Sequence, residues 1–199
     1  MATIRNLCTR CIVLDKGKLV YDGNTEEAIA IYLNEVNSDF PVKYDCKDIK
    51  RNIFHFGKKV KINGFEFIGK QCAQFDITEK MRFRVIWTAM ENVSNLHVRF
   101  AVKYVDSTNV GMAESCAFIN AKQGEEHSDE FEYDLSNLST GTYYLKLFFF
   151  IIDSLGTYHD LDAAMAEIYF EVNDTNMLRP IWKQQFWGNV RLNPIIKKD

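Results

Sequence analysis

The chain has 199 residues, 47% of them hydrophobic and 26% charged, with a net charge of -3. That permits a sizeable core, in one large domain or two unequal ones. It excludes two classes: no basic run exceeds a pair such as Lys58-Lys59 or Lys197-Lys198, so the phosphate-neutralising surface of a nucleic-acid binder is missing, and no stretch approaches the ~18 apolar residues of a membrane-spanning helix.

Residues 1–10 are mostly polar, and the apolar run 11–14 is too short for a signal peptide. The five cysteines (Cys8, Cys11, Cys46, Cys72 and Cys116) are therefore expected as reduced thiols in a cytosolic protein. The Asn-x-Ser/Thr matches at Asn92, Asn137 and Asn173 are then chance. Residues 11–23 hold two short apolar runs around Asp15-Lys16-Gly17, which predicts a hairpin. Asn24 or Thr25 is placed to cap a helix with Glu26 and Glu27 in its first turn. Ala28, Ile29, Ile31, Tyr32 and Val36 would be its apolar stripe. Residues 37–57 are polar, contain Pro41 and show no period; they read as a linker.

From residue 58 to 172 apolar residues alternate as in strands. Val60 and Ile62 open one that continues to Phe67. Met81, Phe83, Val85, Trp87 and Ala89 share one face of the next, and Leu96, Val98, Phe100, Val102 and Tyr104 one face of another. Residues 110–118, 131–135, 143–152 and 168–172 follow, with turns at Asp106-Ser-Thr-Asn109, Ser139-Thr-Gly141 and Asp153-Ser-Leu-Gly156. The six-residue apolar run 147–152 reads as a buried strand. Seven or eight strands so spaced predict an antiparallel β-sandwich of immunoglobulin-like or jelly-roll type. The tail, 173–199, carries Trp182, Phe186 and Trp187, and Val190 with Leu192 are placed for a last strand.

Two resemblances refine this. Leu7-Cys8-Thr9-Arg10, the run Val13-Leu14-Asp15-Lys16-Gly17-Lys18-Leu19-Val20 and Asp22-Gly23 resemble the end of an ABC-transporter ATPase domain, the part after its switch histidine. The chain has no Gly-x-x-x-x-Gly-Lys-Ser/Thr loop, no LSGGQ-like signature, no Asp-Glu pair after an apolar strand and no switch histidine. Residues 1–36 are therefore expected to be a remnant that neither binds nor hydrolyses ATP, in a fragment starting at an internal methionine. An ATPase end followed by a sandwich resembles the Wzt family, the ATPase subunits of O-antigen exporters. The residues carrying that likeness are Gly64 with 65–68, Phe83 with Trp87, Tyr104-Val105-Asp106, and Leu138-x-x-Gly141-x-Tyr143-Tyr144-Leu145. Phe170-x-Val172 and Trp187-Gly188-x-Val190 close it. The resemblance implies a non-catalytic sandwich, here 58–199, that recognises the finished polysaccharide. It also implies a cytoplasmic homodimer, possible by strand exchange, docked at the inner membrane through a transmembrane subunit. The tail segment 182–192 is the candidate for exchange.

A glycan site needs flat aromatic faces and polar groups that fix hydroxyls, with no cofactor or metal. If Leu96, Val98, Phe100 and Val102 face the core, then His97, Arg99, Ala101 and Lys103 face outward. By the same parity Tyr144, Lys146, Phe148 and Phe150 face outward, as do Glu167, Tyr169 and Glu171. In an immunoglobulin-like order these three strands are neighbours. His97, Arg99, Tyr144, Phe148 and Tyr169 are the candidate carbohydrate contacts. The competing reading is that a dimer partner or the tail covers this face, and that the sandwich is a structural dimerisation module. Cys8-x-x-Cys11 has no second pair to complete a zinc site and reads as two partly buried thiols. His159-Asp160-Leu161-Asp162 reads as a polar loop rather than a divalent-ion site. Glu125-Glu126-His127 with Asp129-Glu130 reads as a solvated acidic loop. No catalytic motif accompanies them.

Overall fold

The computed structural model describes residues 2–32, 40–176, 182, 187–193, 195 and 197. A small unit comes first: α1 (Ala2–Leu7), β1 (Arg10–Asp15), β2 (Lys18–Asn24) and α2 (Thr25–Tyr32). Lys16 and Gly17 take φ of 46° and 79°, the positive-φ pair of a two-residue hairpin turn. Arg10 pairs with Asp22 across the hairpin at 2.6 Å. Thr25 does not spend its hydroxyl on its own helix; it donates to the Cys8 carbonyl at 2.7 Å, tying α2 to the end of α1. Val36 and the expected last turn of α2 lie outside the described residues. Cys11 is half-buried, but Cys8 is exposed, contrary to the expected pair of partly buried thiols.

Eleven further strands follow: β3 (Lys43–Asp45), β4 (Val60–Phe67), β5 (Gln74–Asp76), β6 (Lys80–Ala89), β7 (Val93–Tyr104), β8 (Asn109–Glu114), β9 (Ile119–Ala121), β10 (Glu126–Asp134), β11 (Gly141–Ile152), β12 (Tyr158–Ala163) and β13 (Ile168–Asn173). They form two sheets. The smaller runs β10-β6-β4-β3; the larger runs β5-β13-β11-β7-β8, with β12 also on β11 and β9 also on β7. All neighbours are antiparallel except β13 and β5. The 12-residue strands β7 and β11 outreach their partners, so each carries two short strands along one edge.

The alternation read in the sequence sets which side faces inward. Met81, Phe83, Val85 and Trp87 of the smaller sheet meet Val98, Phe100, Leu145, Leu147, Phe149 and Phe170 of the larger in one core. Phe83 lies 5.9 Å from Phe100 across the layers, and Trp87 sits edge-on to Phe149 at 5.3 Å. Trp87 is fully buried, and its indole N–H donates to Asp129 at 2.7 Å, so its one donor is satisfied.

Four local expectations are corrected. Part of the predicted linker belongs to the sandwich: Lys43–Asp45 pairs with β4, and Cys46 and Phe56 are buried. The acidic stretch is no loop. Residues 126–134 form β10, with His127, Asp129, Phe131 and Tyr133 turned inward and the intervening charges exposed. Arg84 and Lys80 of β6 pair with Glu130 and Glu132 across it, which lets so acidic a strand join the sheet. Residues 158–163 are likewise a strand, and its Asp162 is fully buried. Arg51 holds both Asp162 oxygens, at 3.2 and 3.1 Å, and donates to the carbonyls of Cys46, Ile49 and Ile62. The Ile62 amide donates to the same carboxylate at 2.7 Å. This buried pair fastens residues 46–51 to β4 and β12. The strand expected over 110–118 ends at Glu114, after which the chain steps across to β9.

Candidate functional site

The outer face of the larger sheet holds all five candidate residues, on three adjacent strands: β7, β11 and β13. Pairing register places them in rows. Glu114, Arg99 and Phe148 align across β8, β7 and β11. Lys103, Tyr144 and Tyr169 align across β7, β11 and β13. Phe148 and Tyr144 are four residues apart on β11, so the rows are separated by about 14 Å.

The first row carries a tightly organised arginine. Arg99 pairs with Asp160 of β12 at 2.7 Å. Its guanidinium carbon lies 5.3 Å from the Phe148 ring centroid, 5.2 Å from Phe150 and 5.7 Å from Tyr158. Three rings and one carboxylate thus leave the guanidinium little freedom, and its planar fork keeps unspent donors. Phe150 is fully buried between His97 at 4.9 Å and Tyr158 at 5.2 Å, stacked with both. Tyr158 is the outermost ring, 45% exposed. Its hydroxyl donates to Glu114 at 3.2 Å, and that bond, with the carboxylate's charge, raises the phenol pKa. His97 is turned to the chain crossover: its Nδ1 meets the Ser115 carbonyl at 3.0 Å.

The second row is more covered. Tyr144 is only 2% exposed; it donates to the Ser107 hydroxyl at 3.1 Å and tilts against Tyr169 at 5.4 Å. Tyr169 is half-buried and donates to Glu167 at 2.7 Å. Burial first, then that bond, pushes its pKa up, so the hydroxyl stays a donor at all ordinary pH. The Tyr169 amide donates to the Tyr44 hydroxyl at 3.0 Å, which ties this end of the face to β3.

The face is therefore real but less open than parity alone suggests. Tyr144 and Phe150 sit beneath it, while His97, Arg99, Phe148 and Tyr169 are partly accessible. Sequence reading missed Tyr158, Asp160 and Glu114. The available signal was the alternation in Tyr158-His-Asp-Leu-Asp-Ala163 after the Gly156 turn, masked by its polar residues. Beside Arg99 an open groove of about 790 Å³ runs between residues 55–59 and the β11–β12 turn.

The fold is that of a two-layer, mostly antiparallel β-sandwich domain with an aromatic and ionic outer face. The family described as the Wzt C-terminal domain matches residues 57–192, and the chain belongs to that family. Among solved structures, the crystal structure of the C-terminal domain of Wzt superposes with a TM-score of 0.55 at 14% identity, covering 72% of this chain and 86% of that one. The CARDB domain of a Pyrococcus furiosus protein, in complex with di-metal ions, superposes with a TM-score of only 0.35 at 12% identity, over 63% of this chain and 99% of that one. No curated protein matches the sequence. Among the described residues no helix is long and apolar enough to cross a membrane.

Proposed function

We propose that this chain recognises a cell-surface polysaccharide of O-antigen type, without catalysis, for export by an ABC transporter. Membership of the Wzt C-terminal domain family supports this, and the bracketed arginine carries it at the site. Arg99, held among Phe148, Phe150 and Tyr158 and paired with Asp160, offers ring faces and fixed donors together. That combination suits sugars, which present C–H faces and hydroxyls on one body. Arg99, Phe148 and Tyr169 contact glycan in this reading, while His97 and Tyr144 hold the rings behind them. The protein works in the cytoplasm, at the inner membrane beside the transporter's transmembrane subunit. Titration with the polysaccharide of its own organism, next to an unrelated one, is the test. Selective binding that Arg99→Ala weakens at least tenfold is expected; no binding to either polymer sinks the reading.

A second reading, a structural dimerisation module, is favoured by one observation. Trp187, Leu192 and Ile195 near the C-terminus are 48%, 82% and 101% exposed, which suits a surface covered by a partner.

A further inference from the structure

We infer that the polysaccharide is electrically neutral, and that it docks in the groove beside Arg99 through Tyr158 and Asp160. This rests on the recognition reading above and adds to it a ligand class and a subsite.

Charge balance is the first argument. Three fixed cations, Lys58, Lys59 and Arg99, line the groove with three carboxylates, Glu91, Asp153 and Asp160, and two histidines, His55 and His159, complete the lining. Asp153 remains ionised: His159, 2.7 Å away, and the Thr157 and Leu155 amides hold its pKa at about 2. Two of the three are already engaged. Arg99 pairs with Asp160, and Lys58 lies 3.4 Å from the centroid of the Phe54 ring. An acidic polymer entering here meets as many carboxylates as cations. It would have to compete with Asp160 for Arg99, and the carboxylates of Glu91 and Asp153 would repel it. A neutral sugar carries no such cost.

Hydrogen-bonding capacity is the second. Asp160 Oδ2 accepts from Arg99, while Oδ1 is buried without a partner among the described residues. A carboxylate oxygen in that state gains from an incoming hydroxyl donor. The neighbouring guanidinium keeps N–H groups that can donate to a second hydroxyl. Donor and acceptor side by side suit vicinal hydroxyls, each of which both gives and takes a hydrogen bond. The Tyr158 ring, exposed on one side and backed by Phe150 at 5.2 Å, supplies the flat face for the sugar's C–H surface.

The test uses the whole chain and two probes: the organism's own purified cell-surface polysaccharide, assayed for uronic acid and phosphate, and polygalacturonate as the acidic control. Expected is binding of a polymer poor in both acids, with affinity changing less than about twofold between ~0.05 and ~0.5 M salt, and little binding of polygalacturonate. Tyr158→Ala and Asp160→Asn should each weaken binding about tenfold. Tyr158→Phe, which keeps the ring, should bind like wild type, and matched thermal unfolding shows that the variants are folded. Binding of an acid-rich polymer with a steep loss in salt overturns this inference alone, as does neutral binding indifferent to both variants. No binding to either probe overturns the recognition reading with it.

Discussion

Removing either member of the Arg51–Asp162 pair leaves a charge stranded among buried groups. Asp162 is fully buried and the Arg51 side chain only 10% exposed, so water cannot take the lost partner's place. Asp162→Ala should cost about 3–5 kcal/mol in urea unfolding. Arg51→Met combined with Asp162→Leu should cost clearly less, because no charge is then left behind; equal losses in the single and double variants would contradict this account. Cys46 offers a second probe of the same region. Burial pushes its thiol from the ordinary 9.0 up to about 11, with nearby Arg51 opposing the shift. The folded state favours the neutral thiol, so its contribution is complete below about pH 9 and is lost as the pH rises toward 11. At pH 8, iodoacetamide should modify the exposed Cys8 and Cys116 readily and Cys46 only when the chain unfolds, which peptide mapping reads directly.

At the scale of elements, the β11–β12 turn decides how the site is covered. Gly156 takes φ of +80°, and a Cβ there meets nothing within 4 Å. Gly156→Ala should therefore cost backbone strain alone, about 1 kcal/mol by thermal unfolding; an unchanged midpoint would mean the turn relaxes freely. The long strands were legible in the sequence because alternation marks their two faces, as in Leu96 to Tyr104. The elements that escaped were β3, β5 and β9, of three residues each, the acidic first half of β10, and the charge-rich β12. Three residues are too few to show a period. In β10 and β12 the inward positions include His127, Asp129 and Asp162, whose polarity is offset largely by partners distant in sequence: Trp87, Arg51 and the Ile62 amide.

At the scale of the whole chain, the sandwich has one continuous core. The N-terminal unit buries only Val13, Ala28 and Ile29 among the hydrophobic side chains described. The tail joins the sandwich through the Leu138–Val190 bridge and the Ser139 and Arg191 amides, which donate to Asn189 and Asn137 carbonyls. Trp182 and Trp187 lie edge-on at 5.3 Å around an open, mostly apolar hollow. If this end exchanges between two copies, the full chain should sediment as a dimer at micromolar concentration, and a chain ending at residue 176 as a monomer. A full-length chain that stays monomeric on concentration would exclude the exchange.

The sequence alone determined the two-layer β architecture, the inward face of each long strand and the family. All three follow from local patterns: alternation has a period of two, turns need particular residues, and motifs keep their order. It also placed Arg99, Tyr144, Phe148 and Tyr169 on one outer face, since parity carries across neighbouring strands. What lies over that face was decided only by the tertiary structure. Parity says which way a side chain points but not what packs on top of it. The fold returns β12 beside β11, sets Tyr158 over Phe150 and Asp160 against Arg99, and closes Tyr144 with Ser107. Those contacts span up to 61 residues of sequence, a distance over which no local pattern reaches.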